Sequence, residues 1–408
     1  MQLTNSSLTS SSSSVDTNNL VIEGDACVKY DKLVIATGNA PPSIDKLESR
    51  LKGASTCTSS LCTFYTIDDC YELRRRLTYL QQTQNNHDHD DNVKNIVIVG
   101  AGYSGVELAC NILSDNANKN NIMNVTLMHK GDGILSDAAE YNRMNAEKQL
   151  SKLGVHVMTN TIVSKVSNCT TDSSDADDQL VIAYPPCMVY TQSNDEEEQK
   201  QFKADLLIWT AGGGGSSDIL SSLTSSQQLD DNDDIISKNQ KVIVDSYLNT
   251  CNDDNVYALG DISQVSAPSS NNDNSSNQNN SGPQTAQKAI QQAYIVAWNI
   301  FSQYVNANII SNMNNNKNDK FMLLPPPIDI PMLPKVSFEF IELGEILTLG
   351  EKDATVSTLG GLVQINGATG SVARRLIYSL RMPTWMQALL STVKNLNRFL
   401  LFGLLDRD

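Results

Sequence analysis

The segment that most restricts what this chain can fold into is Asn95-Ile-Val-Ile-Val-Gly100-Ala-Gly102-Tyr103-Ser104-Gly105-Val-Glu107. Four β-branched residues in a row predict a buried strand, and the apolar spacing over 105–113 predicts a helix directly after it. Each glycine has its own task. Gly100 permits a tight turn, Gly102 lets the backbone approach a pyrophosphate, and Gly105 lets helix and strand pack closely. The unpaired N–H groups at the positive helix end, around Tyr103 and Ser104, would face the phosphates of a dinucleotide.

The pattern continues with strands at 124–128 and 155–159 and a helix at 138–153. A β-α-β-α-β order implies a parallel sheet with helices on its faces. Further strands are expected at 32–36, 205–210, 241–244 and 255–259. An acidic residue usually ends the second strand to hold the ribose of NADH. Here His129 and Lys130 follow it, and a cation would suit the 2′-phosphate of NADPH. The alternative, an exposed strand end with no ligand, stays open at this point.

Composition removes other classes. With 46 acidic against 30 basic residues the net charge is −16, which argues against a nucleic-acid binder. No run reaches the roughly 18 apolar residues of a spanning helix. The eight cysteines show no paired spacing of a zinc ribbon, so no metal site is expected and the thiols read as reduced. Cys57 and Cys62 have the C-x4-C spacing of flavoprotein disulfide reductases, but without a glycine setting, and they follow the Ala36-Thr37-Gly38 strand instead of preceding it. Polar runs at 1–19, 81–92, 168–179, 191–201, 266–281 and 306–320 read as solvated loops. The first of them lacks the features of a signal or transit peptide.

Three further segments occur in a fixed order around the glycine fingerprint: a strand ending in Ala36-Thr37-Gly38, then Trp209-Thr210-Ala211-Gly212, then a strand ending in Gly260-Asp261. In this order the chain resembles the flavoproteins with two dinucleotide-binding domains, and within them the type II (alternative) NAD(P)H:quinone oxidoreductases. Pro283-Gln284-Thr285-Ala286-Gln287-Lys288, Trp298-Asn299-Ile300-Phe301, the run 343–350 and the run 370–378 make it most similar to the plastid-type C1 form, a demethylphylloquinone reductase-like group. The implied fold class is α/β: two Rossmann-like dinucleotide-binding domains of FAD/NAD(P) type, the first truncated, plus a C-terminal amphipathic membrane-associating segment. Its divisions would be 1–85 (remnant of the FAD domain), 93–212 (NAD(P)H domain), 213–330 (second part of the FAD domain) and 331–408 (quinone and membrane association).

The resemblance implies the cofactors FAD and NADPH or NADH. It assigns Ala36, Thr37, Gly38, Gly100, Gly102, Tyr103, Ser104, Gly105, His129, Lys130, Ala211, Gly212, Gly260, Asp261, Thr285 and Ala286 to cofactor binding. Asp261 would hold the flavin ribityl chain, and the helix starting near Thr285 would aim its positive end at the flavin ring. Glu107, Gln287 and Gln291 are implied near the flavin and quinone head, with Glu107 a candidate for proton delivery or a simple complement to the helix dipole. The implied partner is a membrane quinone of the phylloquinone, plastoquinone or ubiquinone class. The implied location is a peripheral site on an organelle membrane, plastid (thylakoid or plastoglobule) before mitochondrial inner membrane, and a homodimer is left open. One departure stands out: the family begins with a strand and G-x-G-x-x-G of its own, which the 35 residues before Ala36 do not contain. An upstream segment is therefore expected in the natural protein.

The tail supports the lipid reading on physical grounds. Trp385, Met386, Leu389, Leu390, Val393, Leu396, Leu400 and Leu401 recur at helical spacing, with Arg381, Lys394, Arg398 and Arg407 on or near the polar side. A basic amphipathic helix with tryptophan over 376–405 suits an anionic lipid surface. A core-facing helix is the competing outcome.

Overall fold

The computed structural model describes residues 2–4, 19–22, 26–42, 44–84, 93–114, 123–169, 184–193, 200–212, 214–215, 241–250, 253–266, 285–316, 332–382 and 384–405, with side chains omitted for some of them. These fall into two compact units. One comprises Met1–Ala40 with Gly213–Ile341, the other Pro41–Gly212 with Glu342–Asp408.

The second unit is built on five parallel strands in the spatial order Leu61–Thr63, Leu206–Trp209, Lys94–Val99, Met123–Met128, His156–Met158. Their near-continuous apolar sequences follow from burial on both faces. Ile96, Ile98, Val125, Leu127, Leu206 and Ile208 meet helices Ile67–Gln84, Tyr103–Ser114 and Glu140–Leu153 through Leu73, Val106, Ala109, Ala146 and Leu150. Val97, Val99, Leu207 and Trp209 face the opposite way, onto Leu47 of helix Ile44–Arg50 and onto an antiparallel sheet of Thr161–Asn168, Cys187–Ser193 and Lys200–Ala204. Strand order reverses between Lys94–Val99 and Leu206–Trp209, and in open parallel sheets ligands lie at the C-terminal strand ends beside such a reversal. Strand Leu61–Thr63, from the stretch grouped by sequence with residues 1–85, forms an edge of this sheet.

Cys57 and Cys62 carry free thiols and belong to the cores on opposite faces of the sheet, so they do not form a redox pair. Burial drives the Cys62 thiol up to about 12. The buried Arg76 guanidinium donates to the carbonyls of Thr58, Ser59 and Leu61 and pins the loop between them. The C-terminal stretch of this unit forms an antiparallel sheet, Gly344–Thr348, Ala354–Thr358 and Val363–Ile365, whose Leu347 joins the helical-side core. Helices Gly367–Leu380 and Trp385–Leu405 follow.

The first unit contains a sheet in the order Ser263–Val265, Val242–Val244, Asn249–Thr250, Asp253–Ala258, Leu33–Ile35, its last two strands parallel. Ile35, Val242, Val244, Tyr257, Ala258 and Ile262 pack with Val296 of the long helix Ala286–Asn316 and with Phe338. The expected loop at 306–320 is helical through Asn316, and the reason is a set of side-chain amides that the polar composition conceals. Gln291 exchanges hydrogen bonds with both backbone groups of Ile341, Asn299 with both of Val336, and Asn306 with both of Leu333. At spacings of eight and seven residues these amides share one face of the helix and bind a strap, residues 332–341, running antiparallel to it. Residues 81–84, 191–193 and 200–201, also expected in loops, lie in a helix and in strands; most of the remaining polar runs lie outside the described residues.

Candidate nucleotide-binding turns

In the second unit the three fingerprint glycines meet different surroundings. Gly100 has φ +111°, and a Cβ there would lie 2.8 Å from Thr210 Oγ1. A Cβ on Gly105 would stand 1.8 Å from the Gly100 carbonyl oxygen, so no side chain fits. Gly102, by contrast, opens on free space. The backbone at Gly102 is thus approachable while its two neighbours are locked, which is the geometry a pyrophosphate requires. Thr210 donates from its hydroxyl to the Val99 and Gly100 carbonyls, fastening the Thr210–Gly212 turn beside the fingerprint. Ala211 is half-buried, and Gly212 is exposed in the left-handed region at φ +72°.

His129 lies differently from the expectation. Its Nδ1 accepts the Ala101 N–H at 3.3 Å, and burial together with neighbouring Lys130 pushes its pKa down. The ring is a neutral acceptor that steadies the fingerprint loop, which leaves Lys130 as the exposed cation at this strand end.

Glu107 sits in the fingerprint helix with Oε1 accepting the Thr348 N–H at 2.8 Å, and burial raises its pKa. A second carboxylate, unassigned by the sequence reading, lies against the same turn. Glu345 accepts the Tyr103 hydroxyl, the Ala139 N–H at 2.8 Å and the Asn142 amide at 2.9 Å. Ala139 is the N-cap of helix Glu140–Leu153 and brings no capping side chain, so Glu345 caps that helix from about two hundred residues away. Burial raises the Glu345 carboxyl too. Its only sequence signal was its place in the run 343–350.

In the first unit, strands Leu33–Ile35 and Asp253–Ala258 run parallel and end together, bringing the Ala36-Thr37-Gly38 turn beside Gly260-Asp261. Asn39 Nδ2 donates to Asp261 Oδ2 at 3.2 Å and joins the two turns. Gly38 and Gly260 both adopt positive φ, +67° and +74°. Gly260 donates its N–H to Gln292 Oε1 at 2.7 Å, tying the turn to the long helix nearly two turns past Thr285 and Ala286. Gln287 and Gln291 both donate to the Ile341 carbonyl, at 3.0 and 2.7 Å, and so latch the end of the strap. Asn39, Lys288 and Gln292 had no role in the sequence reading. Among the described residues no cluster of three or more His, Cys, Asp or Glu could hold a metal. The open backbone at Gly102, and the Asp261 carboxylate at a glycine turn, fit the two dinucleotides that the resemblance implies.

Similarity to known proteins agrees with this geometry. The family pattern for pyridine nucleotide-disulphide oxidoreductases matches residues 4–293. Demethylphylloquinone reductase NdbB of Synechocystis is 28% identical over 90% of this chain and 70% of its own length. The alternative NAD(P)H-ubiquinone oxidoreductase C1, chloroplastic/mitochondrial, of Arabidopsis thaliana is 26% identical over 91% of this chain and 60% of its own length. Among solved structures, NDH2 from Plasmodium falciparum in complex with NADH superposes with a TM-score of 0.61 at 16% identity, covering 92% of this chain and 80% of that one, a likeness of fold. With the glycine fingerprint, the Gly-Asp turn and a family match across more than two thirds of its length, the chain belongs to the pyridine nucleotide-disulphide oxidoreductase family.

Proposed function

We propose that this chain is an FAD-dependent NAD(P)H:quinone oxidoreductase of the type II, non-proton-pumping kind, acting at a lipid surface. The observation that carries the reading is the hydrogen-bonded pairing of the Asn39 and Asp261 turns at the ends of two parallel strands, in a chain that also holds a complete strand–G-x-G-x-x-G–helix. The names of the curated relatives, a demethylphylloquinone reductase and an NAD(P)H-ubiquinone oxidoreductase, support the substrate class. Bound FAD would supply the electronic chemistry, accepting hydride from the nicotinamide and passing reducing equivalents to the quinone.

The chain's own residues bind, orient and hold protons. Backbone N–H groups around Gly102, Tyr103 and Ser104 receive the NAD(P)H pyrophosphate, and Lys130 meets the ribose end. Asp261, with Ala36, Thr37, Gly38 and Gly260 around it, would hold the ribityl chain of the flavin, and the helix end at Thr285 and Ala286 would present its positive pole to it. Glu107 keeps its proton to a higher pH than an ordinary carboxyl and is assigned proton delivery. Gln287 and Gln291 position the strap ending at Ile341.

The tail supplies the lipid contact. Trp385, Met386, Leu389, Leu390 and Val393 are exposed, and no Asp or Glu occurs between Asp353 and Asp406, whereas Arg374, Arg375, Arg381, Lys394 and Arg398 do. In a chain of net charge −16 that segregation suits anionic headgroups. No helix among the described residues is long and apolar enough to cross a membrane, so the tail would lie in the interface. The membrane proposed is that of a plastid, with the mitochondrial inner membrane second, and the chloroplastic/mitochondrial name of one relative supports an organelle location.

The test is purification of the full-length natural protein and assay of its flavin content and its quinone-dependent oxidation of NADH and NADPH, with and without anionic vesicles. Yellow protein that reduces a quinone, faster on vesicles, supports the reading. Colourless protein that binds NAD(P)H without oxidising it, or activity only with an iron–sulfur carrier, overturns it.

A further inference from the structure

Lysine is almost never fully buried unless its charge is met. Lys288, in the first turn of the long helix Ala286–Asn316, is 3% exposed, and its ammonium finds no hydrogen-bond acceptor or carboxylate partner among the described residues. One turn further along the same helix face, Gln292 is wholly buried. Its Oε1 receives the Gly260 N–H, while its Nε2 is a buried donor with no acceptor among the described residues. Gly260 itself packs on the helix between them, a Cβ there lying 3.5 Å from Ala289. Lys241, 9% exposed, is close enough to repel Lys288, and Asp261 is close enough to attract both.

The wall beneath the Gly260-Asp261 turn is therefore rich in donors and poor in acceptors. A buried amide donor without an acceptor, beside a lysine that is 3% exposed, costs free energy unless an acceptor-rich group completes it. We propose that Lys288, assisted by the Gln292 amide and the field of Lys241, is the charge-pairing residue for an anionic oxygen of the flavin dinucleotide that lies on the Gly260-Asp261 turn. This rests on the flavin reading above and deepens it by naming the side chain that meets the ligand's charge. The anionic oxygen has two sources in FAD, the pyrophosphate and the pyrimidine edge of the ring once reduced. Burial first, and then the repulsion from Lys241, lower the Lys288 pKa, and the attraction of Asp261 offsets them only in part.

The experiment compares wild type, Lys288→Met and Lys288→Arg as full chains. Thermal unfolding without flavin is measured first; replacing an unpaired buried charge by Met should leave the midpoint unchanged or raise it. FAD and riboflavin are then titrated by flavin fluorescence, and NADH by its own fluorescence. Lys288→Met should weaken FAD binding about tenfold or more, with NADH binding unchanged and Lys288→Arg partly restored. If the pyrophosphate is the partner, riboflavin binding stays as in wild type. If the ring is the partner, riboflavin weakens equally and the midpoint potential of the bound flavin becomes more negative. Equal FAD affinity and equal potential in wild type and Lys288→Met would overturn the assignment alone, whereas wild type that binds NADH but no FAD would sink the flavin reading together with it.

Discussion

The two glycine turns solve one task in opposite ways. At Gly100–Gly105 the backbone does everything: two glycines are sterically locked, one is open, and the nearest side chains, Thr210 and His129, merely fasten the loop. At Gly260-Asp261 the backbone N–H is already spent on Gln292, and side chains from three separate stretches, Asn39, Lys241 and Lys288, surround the turn. A turn built from missing side chains announces itself in sequence, because only glycine fits. One built from converging side chains does not, since each residue is unremarkable where it stands.

The comparison breaks first at Gly105. Gly105→Val places carbon on the Gly100 carbonyl and should cost about 3 kcal/mol or more with loss of NAD(P)H binding, read by chemical denaturation and nucleotide titration. Gly260→Ala meets only Ala289, at an ordinary contact distance of 3.5 Å, and pays for its positive φ, about 1–2 kcal/mol. Equal losses at the two sites would remove the distinction. Next comes Glu345→Ala, which strands the Ala139 N–H and the Asn142 amide and should cost about 1–3 kcal/mol. A cost near zero by denaturation would mean that the hairpin Gly344–Thr358 is not held by this carboxylate.

Glu345→Gln sharpens the point through pH. Burial raises the folded pKa of Glu345 above its unfolded value, so its contribution is fully present below the ordinary carboxylate range and is lost as pH rises through the folded pKa. The stability advantage of wild type over the Gln variant should accordingly be greatest in acid and shrink toward neutrality; a difference that grows with pH would contradict it. Smallest is the effect at the ribose end. Lys130→Glu, at an exposed position, should move the ratio of kcat/KM values toward NADH by about fivefold or less. His129→Ala should instead lower affinity for both nucleotides alike, because the ring supports the loop through Ala101.

Much of the architecture was readable beforehand. The strands at 95–99 and 124–128 appear within a residue of expectation because their unbroken β-branched runs are what a sheet covered on both faces demands. The reading failed where polarity was taken for solvation. Asn306 fell in a run expected as a solvated loop, yet its amide pairs with both backbone groups of Leu333, as that of Asn299 does with Val336, in place of a neighbouring strand. It also failed at His129, whose charge depends on an N–H from a loop twenty-eight residues earlier.

By itself, then, the sequence determined the glycine turn, the parallel sheet beneath it and the family, since backbone conformation and apolar periodicity are local properties written in consecutive residues. Only the tertiary structure decided what Glu107, Glu345, Gln291 and Lys288 face, because a polar side chain's protonation and task are set by the atoms packed against it, and those arrive from distant parts of the chain.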